Sequence, residues 1–486
     1  MPIVTADANP ENCQVNPVAR AIWAKKSIEP LDRSEAESSR LRRVLGPWAL
    51  TSLGVGAIIG AGIFVLTGLV AREQAGPAII LSFVLAGLSS AFSAFCYAEF
   101  ASMIPVAGGA YAYAYVSLGE LLAWIIGWDL ILEYGVGSAA VATGWAYYFL
   151  RFLETIGIKF PPFLAADPIL TAGAWFNLPA FAIVLLLTCV LVTGIRQSAG
   201  FNACMVAVKI AIILFVIVVG AFFIQPANYT PFAPFGFSGI MSGAAYVFFA
   251  YIGFDAVSTH AEEAHQPQRD VPIGILASLG TCTLLYMLVA LVLTGMVSYR
   301  EIDINAPVAA AFLNRGLHWA GLLISVGAVV GLTSVLLVVL LSLARVIFAV
   351  ARDGLLPKAT LGAVHPLFRT PYVATIIGGG FVGLLAAFIP LEDLAKLVNI
   401  GTLMTFAIVC ASVLVLRKSQ PNAPRPFRCP WVPVIPILGI LFNLAMMFFL
   451  GWVNWLRLGA WFVLGIIIYW SYGRKHSILR RNQPGT

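Results

Sequence analysis

The chain has 486 residues, of which 60% are hydrophobic and only 10% charged, with a mean hydropathy of +0.91. A soluble domain carries about 25% charged residues, so most of this surface does not face water. The net charge of +7 comes from basic residues scattered over short connections, which argues against a nucleic-acid-binding face.

In chain order, residues 1–47 are polar, hold seven basic and six acidic residues, and contain no run of signal-peptide type. They read as a cytosolic tail whose end, Leu41–Trp48, lies along the membrane surface. Twelve apolar runs follow, each long enough to approach a hydrocarbon core of about 30 Å. They cover roughly 48–70, 77–102, 112–150, 177–194, 201–224, 237–259, 272–297, 319–350, 372–389, 397–416, 432–452 and 457–473. The expected organisation is a transmembrane domain over 48–473 and a cytosolic C-terminal tail over 474–486. With both termini inside, 21 basic residues fall on the cytosolic side and seven on the other, the bias expected of cytosolic loops. Of the seven cysteines, Cys96, Cys189, Cys204, Cys282 and Cys410 fall inside spans and Cys13 and Cys429 on the cytosolic side. No disulfide and no disulfide-linked subunit is therefore expected.

Two spans are irregular where lipid demands a continuous helix. The first contains Gly54, Gly56, Gly60 and Gly62, four glycines in nine positions. The sixth reads Phe248-Phe249-Ala250-Tyr251-Ile252-Gly253-Phe254-Asp255. They stand five spans apart, as an inverted repeat of five helices requires, and matched breaks point to a site near the membrane midplane. Simple helix packing is the competing reading, since Gly56 and Gly60 fit a GxxxG contact. A break frees N–H groups at one helix start and C=O groups at one helix end. A zwitterionic amino acid presents a carboxylate and an ammonium to match.

Ionisable residues inside spans need a reason. Lys209 lies about nine residues into the fifth span. It either snorkels or fills a cation position against the first break, where burial opposes its charge and allows proton exchange. Asp129 and Glu133 share one face of the third span; Glu133 is the deeper and stands for either proton handling or structural bonding, while Asp129 caps or pairs locally. Glu99 and Glu120, near span ends, read as interfacial. Asp255 either faces a substrate side chain or caps the half-helix after the break.

Enzyme classes fit poorly. Asp129 and Asp255 suggest an intramembrane aspartyl protease, but Gly253-Phe254-Asp255 lacks the Gly-x-Gly-Asp form. There is no His-Glu-x-x-His and no Gly-x-Ser-x-Gly, and the glycine run lacks the Gly-Lys-Ser/Thr of a phosphate loop. With no nucleotide motif, the expected energy source is a gradient. The polar faces are too few for a channel.

The segment 54–68, Gly-Val-Gly-Ala-Ile-Ile-Gly-Ala-Gly-Ile-Phe-Val-Leu-Thr-Gly, resembles the first helix of amino acid–polyamine–organocation permeases. Tyr251–Asp255, Ala261-Glu262-Glu263 and Pro267–Ile275 resemble the sixth-helix region of the cationic amino acid transporter branch, and Arg352–Pro357 and Asn399–Leu403 are similar to further signatures of it. The resemblance implies an all-α membrane protein of the LeuT type: two inverted five-helix repeats plus two helices, with helices 1 and 6 broken. It implies that N–H groups of Ala61 and Gly62 meet the substrate carboxylate and that carbonyls of Ile58, Phe249 and Ile252 meet the ammonium, with Phe249 as an aromatic lid. Lys209 matches the lysine that stands where sodium binds in relatives, and Glu133 matches a third-helix acid. Ala61 replaces a common Ser or Thr, Gln266 a common Asn, and His260 a small residue. Val338 and Val339 are candidates for the side-chain wall.

The resulting expectation is a monomeric amino acid importer of the bacterial inner membrane, working by proton-coupled alternating access, with the proton as coupling ion and no other cofactor. Substrate binding falls to Ile58, Ala61, Gly62, Phe249, Ile252 and Asp255, and proton coupling to Lys209 and Glu133. Arginine and lysine lead the substrates and alanine follows; an exchanger is the mechanistic alternative.

Overall fold

The computed structural model describes residues 45–104, 109–194 and 199–478. The expected tail over 1–44, the end of the C-terminal tail from 479 onward, Cys13 and Arg196 lie outside the described residues. Among those described, regular structure is helical throughout, apart from one isolated bridge between Leu45 and Ala264. The helices are α1 (Pro47–Ile58), α2 (Gly62–Met103, bent sharply at Gly76), α3 (Gly109–Ser117), α4 (Glu120–Thr155), α5 (Leu178–Thr193), α6 (Ala199–Ala221) and α7 (Gly236–Val247). After them come α8 (Pro267–Met296), α9 (Pro307–Leu313), α10 (His318–Arg352), α11 (Lys358–Leu361), α12 (Tyr372–Phe388), α13 (Leu391–Ser419), α14 (Val434–Phe449) and α15 (Trp452–Ile468).

Among the described residues, eight helical runs are long and apolar enough to cross a membrane, and four shorter ones, α1, α5, α12 and α14, are also apolar. A helix satisfies its own backbone, which is why apolar sequence in lipid takes this form. Large apolar side chains point outward along the bundle, among them Leu186, Phe222, Leu284, Leu384, Leu441 and Ile467. Serines, threonines and carboxylates turn inward, reversing the pattern of a soluble protein.

The apolar run expected over 112–150 is not one helix. Gly119, with φ of 102°, ends α3 and starts α4 on a new axis. Glu120 opens α4 and is fully buried rather than interfacial: its carboxylate accepts from the hydroxyls of Tyr115, Tyr469 and Ser477. Residues 474–478 are packed, not free. The Ile478 N–H donates to the Asp353 carbonyl, and Ser477 reaches Glu120.

Glu99 is likewise buried, held by Arg417 at 2.6 Å and Arg425 at 3.4 Å and accepting from the Cys429 N–H. A carboxylate this deep is tolerable only because cations and donors surround it. Asp129 does not pair within its own helix; the Thr405 hydroxyl of α13 donates to it at 2.6 Å.

Two interruptions cross at the centre. The first lies between α1 and α2, where Ile59 leaves helical geometry with ψ of 97°. The second follows α7: a tight turn over Phe248–Tyr251, an extended Ile252, Gly253 at φ of 118°, then a tight helix over Asp255–Glu263. Only glycine accepts that φ readily. The two breaks touch backbone to backbone. A Cβ on Gly62 would stand 2.4 Å from Cα of Ala250, and one on Gly253 would stand 3.0 Å from the carbonyl carbon of Ala57. The glycines therefore serve close approach as well as the break.

Candidate functional site

Freed backbone groups must find partners, so their accounting defines the site. At the end of α1, the Ile59 N–H reaches back to the Val55 carbonyl at 3.0 Å. The Gly56 carbonyl accepts from Lys209 Nζ at 2.8 Å. The Ile58 carbonyl accepts from the Tyr286 hydroxyl of α8 at 2.9 Å. A carbonyl has two lone pairs, so the Ile58 oxygen keeps one acceptor position for a ligand. On the other side of the gap, Ala61 and Gly62 open α2, so their N–H groups have no acceptor in a preceding turn. The first turn of α2 is wound wide, and the Phe64 carbonyl it releases accepts from the Tyr148 hydroxyl at 2.7 Å.

Lys209 does not snorkel. It is fully buried on α6, and Gly331 of α10 leaves room for its stem, since a Cβ there would lie 3.2 Å from Lys209 Cγ. It bonds to the first break, where a cation complements the negative end of α1.

The two breaks enclose a cavity of about 40 Å³. Ile58, Ala61, Gly62, Phe249 and Ile252 line it, together with Glu133, Val338 and Val339. Asp255 does not line it. Its carboxylate accepts from the Gly253 N–H at 3.2 Å and the Tyr134 hydroxyl at 3.1 Å, so it caps the turn after the break. Gly137 and Val141 of α4, Ala256, and Val335 and Ser342 of α10 also line the cavity. Gly137 has open space in front of it. Ala61 points its methyl at Gly144 of α4, where a Cβ would approach to 3.0 Å.

Glu133 is the one carboxylate in a mostly apolar wall. It is 2% exposed, and neither carboxylate oxygen meets a donor at bonding distance, though the Thr402 hydroxyl lies close by. Asp255 and Asp129 are its acidic neighbours, and among the described residues none of the three forms an ion pair. Three carboxylates with no cation beside them are costly to hold in a membrane interior.

The profile of a family described as amino acid permease matches residues 45–470. The chain belongs to this family, within the amino acid–polyamine–organocation superfamily. It is 48% identical to the branched-chain amino acid permease of Bacillus subtilis strain 168, over 95% of this chain and 99% of that one. It is 47% identical to the methylthioribose transporter of the same strain, over 95% and 100%. Human cationic amino acid transporter 4 is 32% identical over 95% and 91%. This permease is therefore a multi-pass membrane protein of an amino acid transport family, and its relatives are named as transporters.

Proposed function

We propose that this permease imports amino acids with an aliphatic side chain by proton-coupled alternating access. The observation that carries the reading is one cavity lined by both helix breaks, with Lys209 bonded to the Gly56 carbonyl, one residue before the lining residue Ala57. The substrate carboxylate meets the N–H groups of Ala61 and Gly62, and the ammonium meets the carbonyls of Ile58, Phe249 and Ile252. The side chain then lies against Val141, Val335, Val338 and Val339. Branched, apolar walls favour a branched, apolar ligand over a cation that would lose its water. The likeness to a branched-chain amino acid permease supports this, and it moves the substrate away from the arginine and lysine that the sequence first suggested.

Coupling needs groups that gain and lose a proton between states. Lys209 sits where charge on its ammonium strengthens the grip on α1 and loss of charge weakens it. Glu133 lines the cavity itself. The eight long and four short apolar helices make up twelve spans, and the two breaks stand at matching places in two five-helix repeats. Both termini face the cytosol on the distribution of Lys and Arg.

A second reading rests on Glu133. Its unpaired oxygens line the cavity and offer a counter-charge to a cationic side chain. Proteoliposome uptake of labelled leucine, competed with valine, arginine, lysine and methylthioribose, separates the readings. Leucine uptake driven by an inward proton gradient and suppressed by valine is expected. Suppression by arginine alone would support the second reading, suppression by methylthioribose alone would refute both, and uptake that needs only preloaded amino acid would make the protein an exchanger.

A further inference from the structure

Asn399 belongs to the Asn399–Leu403 segment, lies on α13, and is fully buried. Its side-chain nitrogen donates to two successive backbone carbonyls of α7, Ala245 at 2.8 Å and Tyr246 at 3.0 Å. Those carbonyls sit where α7 gives way to the tight turn Phe248–Tyr251, so their regular helical acceptance is disturbed. Two more contacts converge on the same residue. The Tyr246 hydroxyl donates to Glu392 at 3.4 Å, and Lys396 Nζ lies 5.0 Å from the centre of the Tyr246 ring. Glu392 and Lys396 are themselves paired at 2.6 Å. Positions 392, 396 and 399 are spaced i, i+4, i+7, hence on one face of α13.

The helix that supplies this face is firmly seated. At Gly401, two residues on, a Cβ would stand 2.6 Å from the Asp129 carboxylate of α4, and Thr405 donates to that same carboxylate. A rigid α13 thus grips the last turn of α7, three residues before Phe249 of the cavity wall.

We infer that Asn399 is a positioning residue of the substrate site. It fixes the end of α7, and through it the turn that carries the Phe249 side chain and the Phe249 and Ile252 carbonyls. Its two N–H bonds do for the second break what Lys209 and Tyr286 do for the first, but from a neutral amide that carries no proton of the cycle. The inference rests on the amino acid site proposed above, and its test includes a readout independent of any substrate.

Asn399→Leu keeps the shape and removes both donors; Asn399→Gln keeps the donors on a longer stem. Hydrogen–deuterium exchange of the full chain in lipid nanodiscs reads the backbone amides directly. Asn399→Leu should speed exchange over Phe248–Ile252 and leave Ile58–Phe64 as in the parent protein, and Asn399→Gln should restore part of the protection. In leucine uptake, Asn399→Leu should raise KM about tenfold, with turnover within about twofold. Unchanged exchange and KM in Asn399→Leu would overturn the inference, as would Asn399→Gln exchanging as fast as Asn399→Leu. A protein that shows the exchange pattern but carries no leucine would refute the substrate assignment and leave the positioning role standing.

Discussion

The two helix breaks solve one problem in different ways. Both free backbone carbonyls where the two breaks cross, and both hand some of them to side chains from outside the broken helix. At the first break the donors are Lys209, an ionisable ammonium, and the Tyr286 phenol. At the second they are the two N–H groups of the Asn399 amide. A bond from an ammonium changes strength when the proton leaves; a bond from an amide does not. In the proton-coupled cycle proposed above, the first break is the one a proton would loosen, and the second the fixed jaw against which it would work.

Lys209→Ala should break this comparison most completely. It removes the cation and leaves the buried Gly56 carbonyl without its donor, so gradient-driven leucine uptake in proteoliposomes should fall by about two orders of magnitude. Accumulation at the parental level would remove Lys209 from the mechanism. Gly253→Ala attacks the crossing of the breaks rather than their chemistry. It forces a side chain into φ of 118° and against the Ala57 backbone, a cost of about 1–3 kcal/mol that a thermal melt of the purified protein should register together with lost uptake. Tyr286→Phe is milder and sharper. Loss of one hydroxyl on the Ile58 carbonyl should change leucine KM by about fivefold, the equivalent of roughly 1 kcal/mol, while the proton requirement stays. If Tyr286→Phe abolished proton dependence instead, the phenol and not the lysine would be the coupling group.

Much of this architecture was readable before any coordinates. Apolar runs become helices because lipid leaves the backbone no other choice, and most of the runs end within a few residues of helices observed, the run over 112–150 excepted. The glycines of 54–62 and the Ile252-Gly253 pair marked the breaks, and Ile58, Ala61, Gly62, Phe249 and Ile252 do share one cavity. Other features were hidden for a physical reason. The kink at Gly119 lies inside an unbroken apolar run, so hydropathy alone carries no sign of it. Glu99 and Glu120 looked interfacial because the groups that make their burial tolerable, Arg417, Arg425, Tyr469 and Ser477, arrive from the far end of the chain. Asp255 was equally suited to substrate or cap in one dimension; its bonds to Gly253 and Tyr134 are those of a cap. Tyr286 gave no signal and Asn399 only its place in a family-like segment, without a role, since nothing local distinguishes a carbonyl donor from an ordinary buried polar residue.

The comparison of the two breaks is tested most directly by counting protons. Proteoliposomes with a trapped pH dye report internal acidification while labelled leucine uptake is followed in the same sample. The parent protein should move protons with leucine, Asn399→Leu should keep the same ratio at higher substrate concentration, and Lys209→Ala should bind leucine without moving protons. A Lys209→Ala protein that retains the parental ratio, or an Asn399→Leu protein that loses it, would contradict the division of labour between the breaks.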